Sequence, residues 1–493
     1  MFIRDLKRLV RELRLLLDTL RDHGVTNLRQ LIAWLQTNEI SSRITSYLQA
    51  HSGLQGLIYW AAAFGVGLVA VLYAMAFHEL TVWAQTFAAG SPWTLVVLSP
   101  CCFLLSWWLI FRFSPGAAGS GIPQVMAAME VDPQQASRWV SMRIAVVKFF
   151  SSLICALGGG AIGREGPTIQ IAASLFYSLG MPFRKIWPSL SHQSLLVAGG
   201  ASGIAAAFNT PLGGIVFAVE ELAQAHFNRF KTFLISAVII SGLVAQWILG
   251  PYLYFGYPKI AEVSFWLLPW AVLVGFVCGM GGGVFGRILV WMFQRMNGLK
   301  FGQAWKVAIG VGLAMALCAW LLGPETLGSG NEMMSRVLFE DNTVPALTVV
   351  GRFFTPLISY AAGGAGGIFA PSLAAGAAIG AKLAEWVSSP FPNLFVLIGM
   401  VAFLTGVTRA PFTAFVLVLE MTDRHSAIFP LMMGALVASL AAKIIDTKSF
   451  YERRCEAYLQ TARGDKAIAE LIERSGSPSS APTKPPDAGP FPP

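Results

Sequence analysis

The chain has 493 residues, of which 55% are hydrophobic and only 12% are charged, and its mean hydropathy is +0.61. A soluble protein carries about 25% charged residues, so the composition excludes an ordinary soluble fold and predicts an integral membrane protein. The formal net charge of +9 indicates membrane orientation and not nucleic-acid binding, because no stretch combines basic and aromatic residues as a nucleic-acid groove does.

The first 52 residues form the first predicted segment. Basic residues at positions 4, 7, 8, 11 and 14 are mixed with acidic ones, and leucines fall on one helical face. This pattern predicts an amphipathic helical segment that lies on the membrane surface or packs against the protein's own inner face. It lacks the uninterrupted apolar core of a cleavable signal peptide. Because both termini are rich in Lys and Arg, we expect both in the cytoplasm, with the protein in the inner membrane of a prokaryote.

Apolar runs long enough to cross a bilayer, or nearly so, recur from about Gly56 to about Ile445. Examples are residues 57–77, 144–162, 233–249 and 307–322. Many of the 49 glycines lie inside these runs, which favours closely packed and interrupted helices. The sequence therefore predicts an all-α polytopic membrane protein with many tilted and broken helices.

The apolar region contains an internal repeat of about half the chain length. Four pairs of segments match in the same order: 119–121 with 328–330, 146–150 with 350–354, 163–167 with 367–371, and 211–220 with 411–420. Biased glycine-rich composition is the alternative explanation, but the offset changes only from 328 − 119 = 209 to 411 − 211 = 200. We therefore predict two related transmembrane repeats, residues 53–261 and 262–445, with a transport site where they meet. The sequence leaves open whether the repeats are parallel or inverted.

Two segments follow the repeats. Residues 446–462 are predicted to form a short polar helix, and residues 463–493 a cytoplasmic tail that is mostly disordered. The Pro-, Ser- and Gly-rich end of this tail cannot bury enough apolar surface to fold. The six cysteines and six histidines lack the spacing of disulfide frameworks or metal sites, so we expect no metal and no cofactor.

Three glycine-rich motifs carry the functional information. They are residues 119–123 (GSGIP), 163–167 (GREGP) and 367–371 (GIFAP). Each has a proline where a helix could begin, and the backbone N–H groups of a helix start can bind an anion. The second motif adds a lone carboxylate, Glu165, beside Arg164 within an apolar region. An ionisable group at membrane depth is typical of a transport path.

The three motifs in this order resemble the anion-site motifs of the CLC family of chloride channels and chloride/proton antiporters. Residues 208–211 (FNTP) and the pair Glu220-Glu221 resemble that family too, and the similarity spans roughly residues 55–460. The resemblance implies inverted repeats and a homodimer with one anion pathway per subunit, which exchanges chloride for protons across the lipid bilayer. A passive voltage- or pH-gated chloride channel of the same fold is the alternative.

The resemblance also implies which residues bind chloride. A central chloride would contact the Ser120 hydroxyl, the amides of Ile368 and Phe369, and a tyrosine hydroxyl. Tyr451 is the better match for this tyrosine and Tyr458 the weaker one. Neighbouring motif residues complete the predicted chloride-binding set: Gly119, Arg164 and Gly166. Without its partners, Ser120 would be read as a helix cap.

Glu165 is the predicted gate and proton carrier. As a carboxylate at a helix start it can occupy an anion position, and protonation removes the charge that holds it there. A capping carboxylate or a structural pair with Arg164 is the alternative. Glu221 is the predicted inner proton-transfer group. Glu220 has a repeat mate in Glu420 and is expected to share a structural task with it, whereas Glu221 has no acidic mate.

Other features narrow the prediction. Lys148 and its repeat mate Arg352 either add positive potential near the pathway or bind carboxylates and helix ends. The resemblance implies that nitrate is not preferred, because family members that prefer nitrate tend to have a proline where this chain has Ser120. Ser120 and the GREGP motif also argue against the fluoride-exporting branch, which carries different residues at its anion site. Because the tail is short, we expect no regulation through the paired nucleotide-sensing domains that many eukaryotic members carry.

Two other classes of protein are disfavoured. An intramembrane enzyme would need a nucleophile with its base, or a metal cluster, and no such arrangement stands out. We therefore predict that the protein is not an enzyme. A cation-coupled carrier of neutral solutes would need exposed carbonyls and carboxylates more than helix starts.

Overall fold

The computed structural model describes residues 52–187, 190–222, 231–250, 254–260, 267–296, 301–340 and 343–475. Within these ranges the regular structure is helical, and the β contacts are two isolated bridges between single residues. The predicted amphipathic segment, up to residue 51, and the chain after residue 475 lie outside the described residues.

The first part of the chain contains helices α1 to α9. They are α1 (Gly56–Gly90), α2 (Pro92–Phe113), α3 (Ile122–Met129), α4 (Pro133–Ala136), α5 (Met142–Leu157), α6 (Glu165–Gly180), α7 (His192–Phe208), α8 (Pro211–Phe217) and α9 (Lys231–Leu249). A π-helical turn, Ala218–Leu222, continues α8.

The second part contains helices α10 to α18. They are α10 (Leu268–Met296), α11 (Phe301–Leu322), α12 (Asn331–Phe339), α13 (Ala346–Ala361), α14 (Phe369–Trp386), α15 (Pro392–Thr408), α16 (Pro411–Thr422), α17 (Ile428–Ile445) and α18 (Phe450–Ser475). Within the described ranges, six helical segments are long and apolar enough to cross a membrane: α1, α2, α9, α10, α11, and α17 with the turn before it. The prediction of an all-α polytopic membrane protein is confirmed.

The ends of α7 and α15 show how similar sequence gives similar structure in the two parts. Each helix ends at a residue in the left-handed region, Asn209 (φ 55°) and Arg409 (φ 64°), which stops the helical hydrogen-bond ladder. Prolines two residues later, Pro211 and Pro411, begin α8 and α16, because proline is accommodated in the first helical turn.

Reciprocal hydrogen bonds join the two parts of the chain. The amide of Gly163 donates to the carbonyl of Gly367 (2.6 Å), and the amide of Gly367 donates to the carbonyl of Gly163 (2.7 Å). The two glycines occupy matching positions of the repeat, and an exchange of identical contacts is the mark of a two-fold relation. A pseudo-two-fold axis therefore passes between α6 and α14 where both helices begin.

The glutamates Glu220 and Glu420 repeat this reciprocity on α8 and α16. Each carboxylate accepts hydrogen bonds from two amides in the first turn of the other helix: Leu212 (3.1 Å) and Gly213 (2.8 Å) to Glu420, and Phe412 (3.1 Å) and Thr413 (2.6 Å) to Glu220. Since the end of each helix meets the start of the other, α8 and α16 run antiparallel. The two-fold axis is thus perpendicular to these helices, and the repeat is inverted, which the sequence had left open.

Small residues let the core helices approach closely. A Cβ atom at Gly376 on α14 would lie 2.1 Å from the carbonyl oxygen of Gly399 on α15, and one at Gly399 would lie 2.2 Å from that of Gly376. At this crossing the two backbones touch, as the glycines within apolar runs predicted.

The last helix differs from its prediction. It begins at Phe450 and continues to Ser475, so residues 463–475, assigned to the tail from the sequence, belong to α18. Their charged but proline-free sequence favours helix, and the Pro-rich stretch starts only after them.

Candidate functional site

The three glycine-rich motifs meet at the centre of the protein. Gly119 exchanges hydrogen bonds with the loop before α14: its amide donates to the Gly364 carbonyl (2.9 Å), and its carbonyl accepts from the Gly366 amide (3.1 Å). A Cβ at Gly166 would lie 2.5 Å from the Ser120 carbonyl oxygen, so only glycine permits this approach. The starts of α3, α6 and α14 therefore converge on one point.

Two buried hydroxyls lie at this point without hydrogen bonds. Ser120 is 4% exposed and Tyr451 is 0% exposed, yet neither the Ser120 Oγ nor the Tyr451 Oη has a partner in the described part of the chain. The two hydroxyls lie close to each other, but not in good hydrogen-bond geometry. Because a buried hydroxyl without a partner is unfavourable, this arrangement fits a small anion that accepts from both.

The backbone at the start of α14 supplies further donors. Ile368 precedes the helix and Phe369 is its first residue, and both are buried. The first amides of a helix have no intrahelical acceptor and carry partial positive charge. The site can thus hold an anion by dipoles, without a full countercharge that would hold it too tightly for passage.

The Glu165 carboxylate lies just above this point of convergence. Glu165 is the first residue of α6 and is fully buried. A Cβ at Gly163 would lie 2.3 Å from Glu165 Oε2, so the side chain folds back over Gly163 towards the Ala370 amide at the start of α14. Neither carboxylate oxygen has a hydrogen-bond partner of good geometry among the described residues.

Arg164 does not pair with Glu165. Its guanidinium donates to the carbonyls of Ala74 (3.1 Å) and Ala207 (3.3 Å) and lies over the ring of Tyr254 at 5.5 Å. Adjacent residues at a helix start point in different directions, and Arg164 instead ties α6 to α1 and α7. The geometry therefore disfavours the alternative of a structural ion pair. A cavity of about 470 Å³ lies beside Arg164.

The sequence from residue 102 to 443 matches the family described as voltage gated chloride channel. The chain belongs to this family. This CLC assignment confirms the resemblance carried by the three motifs.

Individual proteins resemble this chain over most of their length. The chain is 32% identical over 415 residues to the H(+)/Cl(-) exchange transporter ClcA of Citrobacter koseri, covering 78% of this chain and 85% of that protein. A slow cyanobacterial Cl−/H+ antiporter has the same fold (TM-score 0.72, 24% identity, 82% of this chain and 98% of that one). So does a CLC-type fluoride/proton antiporter (TM-score 0.67, 20% identity, 81% and 97%).

The structure distinguishes the two candidate tyrosines of the CLC anion site. The Tyr451 hydroxyl faces Ser120 without a partner. The Tyr458 hydroxyl accepts a hydrogen bond from Arg454 (3.3 Å), and its ring contacts that of Trp139. Of the two, Tyr451 is brought to the site.

Glu221 lies away from the point of convergence. It sits in the π-helical turn that continues α8 and is partly exposed. Its electrostatic neighbours include Glu220 and Glu452, and it also interacts at a distance with Tyr451. Glu165 has an electrostatic interaction with the same tyrosine, so both carboxylates lie within electrostatic range of Tyr451.

Lys148 and Arg352 hold backbone carbonyls in both halves. Lys148 donates to the carbonyls of Ala117 (2.9 Å) and Gly119 (2.5 Å). Arg352 donates to those of Gly328 (2.9 Å) and Leu327 (3.0 Å). Both cations are fully buried and fix the loops that lead into α3 and α12. Both side chains therefore have a structural role as donors to backbone carbonyls. Through its bond to the Gly119 carbonyl, Lys148 positions the neighbouring Ser120 without touching it.

Sequence reasoning missed two residues beside the site. The Tyr360 hydroxyl donates to the Gly366 carbonyl next to the α14 start, lies close to the Ser120 hydroxyl and interacts electrostatically with Tyr451. Gln124 accepts from the Gly121 amide (3.0 Å) and donates to the Ala118 carbonyl. Tyr360 lies in an ordinary apolar run and belongs to no motif, so no sequence signal distinguished it. Gln124 does follow the GSGIP motif directly, and its spacing from Gly121 is that of a capping residue.

Proposed function

We propose that this protein is a chloride/proton antiporter. The observation that carries the proposal is the pair of buried, unpartnered hydroxyls of Ser120 and Tyr451, which face the start of α14 beneath the buried Glu165 carboxylate. One position thus suits a halide, and one titratable group lies next to it. The similar protein of Citrobacter koseri is named as an H(+)/Cl(-) exchange transporter, in agreement with this proposal.

In this proposal chloride accepts from the two hydroxyls and from the amides of Ile368 and Phe369. Gly119, Gly166 and Arg164 shape the site: the glycines allow the backbones to meet, and Arg164 anchors the start of α6. Hydroxyls and amides provide many weak donors, which bind a monovalent anion and also release it.

Glu165 acts as the gate in this proposal. When ionised, its carboxylate is itself an anion at a helix start and competes with chloride for the same donors. When protonated, it loses that attraction and can leave with its proton. The cavity beside Arg164 would connect this carboxylate to water. Competition between a carboxylate and a halide couples the two fluxes in opposite directions.

Glu221 acts as the second proton group, on the face of the protein that carries α18. It is partly exposed and can exchange protons with water there. Its interaction with Tyr451, which Glu165 shares, supports a proton route common to both carboxylates. The neighbouring Glu220 already accepts hydrogen bonds from two amides of α16.

We also propose a homodimer in the inner membrane of a prokaryote, with both termini in the cytoplasm and repeats at residues 53–261 and 262–445. Each subunit would have its own pathway. The contact face would include α8 and α16, where Leu212 is 62% and Phe412 is 59% exposed. Large apolar side chains in such a patch favour contact with a second subunit or with lipid. We propose that the protein is a transporter and not an enzyme.

Reconstitution into liposomes with a chloride gradient tests the antiporter proposal. We expect chloride efflux to drive uphill proton uptake in the native protein. Glu165→Gln is expected to keep chloride flux and to abolish proton uptake, because the amide cannot titrate. Glu385→Gln is the matched control, since this exposed carboxylate pairs with Lys382 (2.9 Å) at the far end of α14. Chloride flux without uphill protons in the native protein would establish the channel alternative.

A further inference from the structure

One face of α18 carries an arginine close to the anion site. Tyr451, Arg454 and Tyr458 are three and seven residues apart and therefore share a helical face. All are buried, at 0%, 4% and 4% exposure. With a rise of about 1.5 Å per residue, Arg454 lies one turn along the helix from the tyrosine that faces Ser120.

The Arg454 guanidinium lies between two aromatic rings. Its Cζ atom is 4.4 Å from the centroid of Phe293 and 5.0 Å from that of Tyr458, and Nη2 donates to the Tyr458 hydroxyl (3.3 Å). Among the described residues, no carboxylate lies within ion-pair distance of it. Its titratable neighbours are the phenols of Tyr458 and Tyr360.

The preceding residue in the sequence, Arg453, provides a contrast. Arg453 has a side chain that is 39% exposed and forms an ion pair with Asp446 at 2.6 Å. Two consecutive arginines on one helix therefore have different surroundings: Arg453 is ion-paired and partly exposed to water, whereas Arg454 is buried against two aromatic rings and donates to a tyrosine hydroxyl. Guanidinium remains charged in either setting.

A buried cation without an anion is unfavourable, and ring faces compensate only part of the lost hydration. The site of the Ser120 and Tyr451 hydroxyls, where an anion could bind, lies nearby. Phe293 contacts Arg454 on one side and the ring of Tyr360 (5.8 Å) on the other, and Tyr360 interacts with Ser120 and Tyr451. The rings of Phe293 and Tyr360 thus form an aromatic layer between the charge and the unpartnered hydroxyls.

We propose that Arg454 is a positioning residue that raises the affinity of the central site for chloride through its charge, without touching the ion. This inference rests on the proposed function of the same site. The aromatic layer keeps the cation from binding chloride directly, so the ion is attracted yet still released. At an effective dielectric constant of about 20 and a separation on the order of 10 Å, one unit charge changes anion affinity roughly tenfold.

The test is the chloride dissociation constant of the purified full chain by titration calorimetry, together with the chloride KM of flux in liposomes. Arg454→Gln and Arg454→Met both remove the charge. Methionine also fits the apolar space between the two rings, so it keeps the test informative where glutamine lowers stability. We expect both variants to weaken chloride binding about tenfold. Arg454→Lys retains a cation but loses the planar stacking on the two rings, so we expect it to bind chloride more tightly than the neutral variants and less tightly than the native protein.

Arg453→Gln is the matched control, and we expect it to leave the chloride dissociation constant unchanged. If Arg454→Met folds with native chloride affinity, the inference is wrong although the antiporter proposal stands. The same holds if Arg454→Lys binds as weakly as the neutral variants, since packing and not charge would then matter. If the native protein binds no chloride at all, both the inference and the proposed function fail.

Discussion

The reciprocal carboxylates of α8 and α16 give a direct test of the contacts that join the two repeats. Glu420→Ala removes the acceptor of two first-turn amides of α8, those of Leu212 and Gly213, and Glu220→Ala does the same at α16. The amides left behind lie between helices, where neither chain nor lipid provides a replacement acceptor.

The magnitude follows from the number and type of bonds lost. A hydrogen bond to a charged group contributes about 1.5–3 kcal/mol when buried, and loss of a capping side chain costs about 1 kcal/mol. Because both glutamates are only partly buried, we expect about 1 kcal/mol per bond and therefore about 2 kcal/mol for each variant. The caps lie at opposite ends of α8, roughly 10 Å or more apart, so the double variant should cost about 4 kcal/mol.

Equilibrium unfolding in mixed micelles with increasing denaturing detergent measures these free energies. Glu385→Gln again serves as the control, with an expected change below about 0.5 kcal/mol. A cost of less than about 0.5 kcal/mol for either single variant would contradict the capping role. A double variant no less stable than the singles would show that the two contacts do not act as independent caps.

Further predictions concern transport and packing. Glu221→Gln should reduce proton coupling while chloride flux persists, whereas Glu220→Gln should keep coupling; equal loss in both would remove Glu221 from the proton route. Ser120→Pro, which deletes a hydroxyl donor, should raise nitrate flux relative to chloride, and unchanged selectivity would detach Ser120 from the anion site. Gly399→Ala should destabilise the protein by about 2 kcal/mol or more, because its Cβ would lie 2.2 Å from a backbone oxygen. Gly310→Ala, with open space around it, is the control and should be neutral or slightly stabilising.

The sequence determines the class of this protein because hydropathy and motifs are local properties. Apolar runs are long enough to span a bilayer, and each motif places glycine and proline where a helix can start beside an ion. The GREGP motif predicts a functional role for Glu165, since a carboxylate at membrane depth is costly and typical of a transport path. The matched positions of Glu220 and Glu420 also revealed a shared task before their partners were known.

The tertiary structure decides which distant groups meet. The direction of the two halves follows from the reciprocal hydrogen bonds of Glu220 and Glu420, which lie 200 residues apart (420 − 220). The preference for Tyr451 over Tyr458 depends on which hydroxyl is already bound. The sequence does not show that Arg453 forms an ion pair while Arg454 lies between aromatic rings. The two adjacent residues are of the same type and differ only in what packs around them. Contacts across an interior depend on how all helices cross, and no local pattern of residues specifies that crossing.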